Sequence, residues 1–276
     1  MDMGQENQVN EVILTDLIRD QGCDVAKILS DDASDIEQMH AEEVRRSGDC
    51  IVYKVKFNSK NYLVKCFDRT QAALGKSWER EVSCQLALQK TGLIPLIVGH
   101  NREGLFLVSA WQDGKDLREV LNENNLTETA EAIGTWYRNF SGKIHLGKAD
   151  TNWHDYLAKY ANQGLDAKFS TFSKLFRKVK IDRLSIAKND AHLSNFISDP
   201  NGKLIGIDFA EASLKPLGWD VLLTARVLER LFPGKSDIYL PALMQGWTAT
   251  EIKKPYDGFT KMVQIFAKRT ASMKMD

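Results

Sequence analysis

From Ile51 to Phe57 the side chains alternate, with residues 51, 53, 55 and 57 apolar and Lys54 and Lys56 charged between them. A period of two marks a strand with one buried face. Asn58-Ser59-Lys60-Asn61 is a cluster of turn formers, and Tyr62–Phe67 is a second strand-prone run, so the pair reads as an antiparallel hairpin. Arg46-Ser47-Gly48-Asp49 is the turn that leads into it. Two more strand-like runs follow at Leu93–Val98 and Leu105–Ala110, separated by the turn Asn101-Arg102-Glu103-Gly104. Between the hairpin and these runs, Trp78, Val82 and Leu86 recur every four residues, which predicts a helix from about Ser77 to Lys90 with Gly92 at its stop. The first part of the chain is thus committed to a small antiparallel sheet with one helix.

The period then changes. Ala130, Ile133, Tyr137, Phe140 and Ile144 are spaced by threes and fours, an amphipathic helix for which Thr127 is the expected N-cap, with Glu128 and Glu131 near its positive end. Helical texture continues at 153–163, 169–180, 219–231 and 256–270, interrupted by a compact loop-strand-turn-strand region at 186–209. The expected class is α+β in two lobes, the first over 1–111 and the second, mainly helical, over 112–276, with the break near Gln112–Gly114. The 276 residues suffice for this, and 43% of them are hydrophobic, enough for a core. Residues 1–10 are polar, 11–29 fit either a short helix or a covering strand, and 30–43 read as a solvated connection or exposed helix.

Composition removes several function classes. Lys+Arg and Asp+Glu are both 37, so the basic excess usual in a nucleic-acid binder is missing. The balance is uneven, with a net of −4 over residues 1–110 and +4 over 111–276. Cys23, Cys50, Cys66 and Cys84 form no C-x-x-C pair, which argues against a zinc site or disulfide framework and for a reducing compartment. The N-terminus is polar and acidic, unlike a signal peptide, and no apolar run is long enough to span a bilayer. A soluble, cytoplasmic protein is expected. The stretch with Phe169, Phe172, Leu175, Phe176 and Val179 beside Lys174, Arg177, Lys178 and Lys180 is basic and amphipathic, which reads first as a packed helix and second as a peripheral membrane contact.

The chemistry concentrates in Lys188-Asn189-Asp190-Ala191-His192-Leu193-Ser194-Asn195-Phe196-Ile197 and in Ile205-Gly206-Ile207-Asp208-Phe209, whose Asp208 comes thirteen residues after Asn195. The tight turn Asp199-Pro200-Asn201-Gly202-Lys203 joins them. Phosphoryl transfer from ATP asks for one carboxylate to take the acceptor hydroxyl's proton. It also asks for a second carboxylate and a neutral oxygen to hold magnesium, and for a lysine to steady the phosphates. Asp190 with Asn195 five residues on, then a turn, then Ile-Asp-Phe, has the spacing of a kinase catalytic loop and metal-binding motif.

These residues resemble the protein-kinase-like superfamily, specifically its small-molecule branch, which includes aminoglycoside phosphotransferases and choline kinases. The Asn189-Asp190 pair resembles the choline-kinase loop, and His192 the aminoglycoside type. The resemblance covers about residues 45–230. It implies a kinase-like fold and ATP with Mg2+ as cofactors. By the same resemblance Asp190 acts on the acceptor hydroxyl, Asn195 and Asp208 bind magnesium, and Lys65 contacts the phosphates and pairs with a helix glutamate. Arg80-Glu81-Val82 is the family setting for that glutamate, so Glu81 is chosen over its rival Glu79. Ser47 and Gly48 resemble the phosphate-covering loop, and the stretch Phe106–Gly114 the hinge, where the carbonyl of Ala110 and the amide of Gln112 would bond adenine. Gly218-Trp219-Asp220-Val221 resembles the structural aspartate motif. Lys188 stands where the family usually has a loop-bracing histidine, and His192 is expected to brace the loop. The single glycine of the phosphate loop and the lack of an Ala-Pro-Glu disfavour a protein kinase. The intact Lys65, Asp190, Asn195 and Asp208 set disfavours a non-enzymatic scaffold. The expected acceptor is a hydroxyl on a small neutral or anionic molecule, such as a sugar, a sugar phosphate or a lipopolysaccharide sugar. A polycation would favour an acidic pocket, whereas the second lobe is net basic.

Overall fold

The computed structural model describes residues 23–30, 39–142, 145–161, 176–248 and 258–271. The N-terminal expectations for residues 1–22, and most of the basic stretch beginning at Phe169, lie outside these residues. The chain divides into two compact units. One runs to Asp113 and also takes in Ile207–Ala210, and the other is Gly114–Gly206 with Glu211–Asp276.

The first unit is built on a five-stranded antiparallel sheet of order β1-β2-β3-β5-β4, from β1 (His40–Arg46), β2 (Cys50–Phe57), β3 (Lys60–Phe67), β4 (Ile97–Asn101) and β5 (Phe106–Ala110). One face packs Tyr53, Val55, Val64 and Val108 against Val25 and Ala26 of helix α1 (Cys23–Ser30). The other packs Phe67, Ile97 and Leu107 against Trp78 and Val82 of helix α2 (Ala72–Leu88), together with Ala210. Lys65 lies opposite Val52 and Leu107 in the register, so strand alternation turns it to the α2 face.

Three expectations shift here. The strand expected at Leu93–Val98 begins only at Ile97, because Pro95 has no amide to give a ladder and Leu93 and Ile94 are buried ahead of it as turn residues. The helix expected from Ser77 starts at Ala72, where Ala72-Ala73-Leu74 are strong helix formers and Leu74 is buried, and it ends at Leu88. Of the acidic stretch 30–43, read as a solvated connection or exposed helix, residues 31–38 lie outside the described ones, and His40 opens an edge strand in which Ala41 is the one buried residue.

In the second unit, helix α4 (Leu126–Ser141) packs against α7 (Ser236–Thr248). Gly134 and Gly246 allow this crossing, since a Cβ on either would collide with the other helix's backbone. Around this pair lie α3 (Leu117–Val120), α5 (Trp153–Ala161), α6 (Trp219–Leu231) and α8 (Phe259–Thr270). One three-stranded sheet orders β10 (Leu204–Gly206), β9 (Phe196–Ser198) and β6 (Lys115–Asp116). Another orders β11 (Ser213–Pro216), β8 (Lys180–Ala187) and β7 (His145–Asn152). The N-cap of α4 is Asn125 and not Thr127, which lies exposed inside the first turn. The helix expected over 169–180 does not reach its end, because β8 begins at Lys180 and pairs with β7. Helix α7 escapes sequence reading because Pro241 lies inside it and because Ile238 and Pro241 share its exposed face with Asp237 and Gln245, which blurs the apolar period. No helix among the described residues is long and apolar enough to cross a membrane.

Candidate active site

The first unit gathers Lys65, Glu81 and Asp208. The Lys65 Nζ lies 2.8 Å from Glu81 Oε2 and 2.9 Å from Asp208 Oδ1. Glu79, the rival on the same helix, instead meets Arg102 at the surface, 2.6 Å away. Only 7% of Lys65 is exposed and 2% of Glu81. Burial alone pushes the ammonium's pKa down, and the charges of Glu81 and Asp208 outweigh it, holding Lys65 above the ordinary lysine value. Gln85, one turn further along α2, donates from Nε2 to Glu81 Oε1 at 3.0 Å and fixes the second carboxylate oxygen.

Asp208 reaches Lys65 from a segment distant in sequence. Its φ of 61° lies in the left-handed region, which costs a non-glycine residue on the order of 1 kcal/mol. Phe209 is fully buried, and the carbonyl of Ala210 accepts a 2.6 Å hydrogen bond from Arg80 Nε. Neither Gln85 nor Arg80 was assigned a role from the sequence, although the four-residue step from Glu81 to Gln85 is a readable signal.

The second unit gathers Asp190 and Asn195 on the loop between β8 and β9. Asn195 Nδ2 donates to Asp190 Oδ2 at 2.7 Å, and Asp190 Oδ1 accepts from the His192 amide at 3.0 Å. The His192 ring lies 2.9 Å from Ser194 Oγ within the same loop. The loop is anchored from below by Asp220 near the start of α6, whose carboxylate accepts the amides of Lys188 and Asn189, both at 2.9 Å. Burial pushes the Asp220 carboxyl up to about 6, against the opposing pull of those two bonds and the Lys188 charge. Asn189 has φ 61° and accepts a 2.8 Å bond from Trp219 Nε1 on its side chain. Lys188 is fully buried.

The remaining expected residues sit at the edges of the first unit. Ser47 Oγ accepts the amides of Asp49 and Cys50, closing the turn before β2. Gly48 is not sterically required here, since a Cβ would meet nothing within 4 Å, and its carbonyl accepts from Gln71 Nε2. The amide of Ala110 donates to Leu96 at 2.8 Å, and Gln112 Nε2 donates to the carbonyl of Asp113. A cavity of about 610 Å³ in the second unit, lined in part by Lys115, Leu117, Glu128 and Pro200, contains none of the expected site residues.

The architecture is an α+β fold of the protein-kinase-like type, and solved structures with that fold are its neighbours. The ethanolamine kinase of Plasmodium vivax matches with a TM-score of 0.60 at 14% identity, over 89% of this chain and 77% of that one. The choline kinase LicA of Streptococcus pneumoniae matches with a TM-score of 0.54 at 17% identity, over 92% and 94%. A third neighbour is the streptomycin–ATP–APH(2")-IIa ternary complex, with a TM-score of 0.54 at 15% identity, over 89% and 86%. No protein-family model matches the chain, and no curated protein matches it by sequence.

Proposed function

We propose that this chain is an ATP- and magnesium-dependent phosphotransferase that moves the γ-phosphate to a hydroxyl of a small molecule. The observation that carries the reading is the buried Lys65, held between Glu81 and Asp208. A lysine at this depth needs strong compensation, and two carboxylates supply more than its single charge requires. The surplus negative charge suits a site that meets a divalent cation beside the phosphates. Lys65 would contact the phosphates, with Glu81 fixing its direction. Ser47 and Gly48 would cover the phosphates, and Ala110 and Gln112 would receive adenine.

The donor set suits magnesium. Asn195 commits its amide nitrogen to Asp190, which leaves the amide oxygen as its ligating atom, and Asp208 supplies a carboxylate. Both are hard oxygen donors, and magnesium takes few protein ligands and completes its shell with water and phosphate oxygens. When bound, magnesium supplies neutralisation of charge on the phosphates. Asp190 would orient and deprotonate the acceptor hydroxyl, its carboxylate aimed by Asn195 and by the His192 amide.

A neutral or anionic, sugar-like acceptor fits best. The Lys215 ammonium lies 5.4 Å from the centroid of the Trp219 ring, and that ring is bonded to Asn189, the neighbour of Asp190. A resident cation beside the catalytic loop disfavours the cationic alcohols for which the choline and ethanolamine kinases are named. The test has two arms. A thermal-shift assay should show stabilisation by ATP with magnesium, and an acceptor screen read by ADP release should favour sugars and sugar phosphates over choline and aminoglycosides. No stabilisation by Mg-ATP would remove the phosphotransferase reading, and turnover confined to cationic acceptors would remove the acceptor class.

A further inference from the structure

Arg80 and Glu81 are consecutive on α2, and each reaches toward the residues that flank Lys65. Glu81 pairs with Lys65 itself. Arg80 reaches the other side of the triad by a different route. Its Nε donates to the carbonyl of Ala210 at 2.6 Å, two residues beyond Asp208, while its Nη2 donates to Ser77 Oγ at 2.9 Å. Ser77 is 8% exposed and sits one turn back on the same helix, so it fixes the plane of the guanidinium. A planar fork with several donors loses little further freedom per bond formed, which suits Arg to this position better than Lys.

The segment Ile207–Ala210 needs such a hold. It belongs to the first unit although its chain neighbours on both sides belong to the second. Asp208 carries a left-handed backbone, which persists only where the surroundings enforce it. The carboxylate of Asp208 is on Lys65, and in the proposed reaction it also serves magnesium. A side chain with two duties makes a poor sole tether for its own backbone. The Arg80 bond acts on the main chain and leaves the carboxylate alone.

We infer that Arg80 is a positioning residue for magnesium binding, holding the Ile207–Ala210 backbone so that the Asp208 carboxylate stays aimed at the metal position. The inference rests on the proposed phosphotransferase reading. One helix therefore sets both the lysine, through Glu81, and the metal-binding carboxylate, through Arg80.

The test uses Arg80→Met, which keeps most of the stem and removes the donors, and Arg80→Lys, which restores one donor. Arg102→Ala, which breaks the surface pair between Glu79 of the same helix and the turn after β4, serves as the control. ATP binding is measured by calorimetry across a magnesium titration, and amide exchange over 207–210 is followed in ligand-free protein. Arg80→Met should raise the half-saturating magnesium concentration about fivefold or more, leave ATP binding without magnesium within about twofold, and speed exchange in that segment. Arg80→Lys should lie between it and wild type, and Arg102→Ala should match wild type. A merely structural arginine would weaken ATP binding equally with and without magnesium, and that result overturns the inference. If Arg80→Met fails to fold, Arg80→Lys decides, and an unchanged magnesium requirement in it overturns the inference. Asp208→Ala separates the two levels. If it keeps the wild-type magnesium dependence, the phosphotransferase reading of Asp208 fails; if it loses that dependence while the Arg80 variants do not shift, only the role of Arg80 fails.

Discussion

Replacing Lys65 with methionine should destabilise the first unit by about 3 kcal/mol, the lower end of the roughly 3–5 kcal/mol found when one member of a buried ion pair is removed. The lower end applies because Glu81 keeps one bond, from Gln85 Nε2 at 3.0 Å. Asp208 adds little to the loss, since its side chain is 35% exposed and water can replace the lysine there. Most of the cost is Glu81 left charged at 2% exposure. The double variant Lys65→Met with Glu81→Met removes that charge and should recover much of the stability, a coupling of about 2 kcal/mol between the two sites. Glu79→Ala should show no coupling, because Glu79 pairs with Arg102 at the surface. Native-state hydrogen exchange over β3 and α2 reports the free energy of this unit separately from the second one. A Lys65→Met cost under about 1 kcal/mol, or one that is the same with and without Glu81, would refute a buried Lys65–Glu81 pair as its source.

Asp190→Asn should lower single-turnover transfer by ~10²–10⁴-fold, the usual reach of general-base assistance, while calorimetric ATP affinity moves less than about threefold. Near wild-type transfer by that variant would sink the assignment. His192→Ala should cost far less, since its ring bonds Ser194 within the same loop, and a loss equal to that of Asp190→Asn would contradict this. Asp208→Ala should bind ATP with the same affinity at low and high magnesium. The carboxyl of Asp220, at about 6, makes a prediction in pH. Because its folded value is raised, this group penalises the fold above about pH 6, and the penalty is relieved as pH falls from there toward the ordinary carboxylate value. Over the same range it loses the charge that holds the amides of Lys188 and Asn189. Their amide proton shifts, followed by NMR, should titrate with a midpoint near 6, and a titration that persists in Asp220→Asn would assign it elsewhere.

The alternation from Ile51 to Phe57 and the heptad-like spacing from Ala130 to Phe140 already dictate a sheet followed by helices, because burial on one face imposes those periods locally. The Asp190–Asn195 step is equally local, and the hydrogen bond between them forms within a single loop. Local pattern could also nominate Glu81 and Glu79 as rivals, since both lie beside the same apolar stripe. Apolar pattern alone did not decide which glutamate turns inward; the resemblance of Arg80-Glu81-Val82 to the family setting chose Glu81, and the physical ground for it lies in the fold. That choice depends on the register that sets Lys65 opposite Leu107 on the α2 face, a relation between strands and a helix that no short window contains. Helix α7 was illegible for another reason, since apolar Ile238 and Pro241 stand on its exposed face beside Asp237 and Gln245 and mask its period. The transfer of Ile207–Ala210 to the first unit, and the Arg80 bond that holds it across 130 residues, exist only in the folded chain. Spacing along a chain carries the contacts a loop or helix makes with itself, whereas contacts between distant segments follow from packing, which the order of residues constrains only collectively.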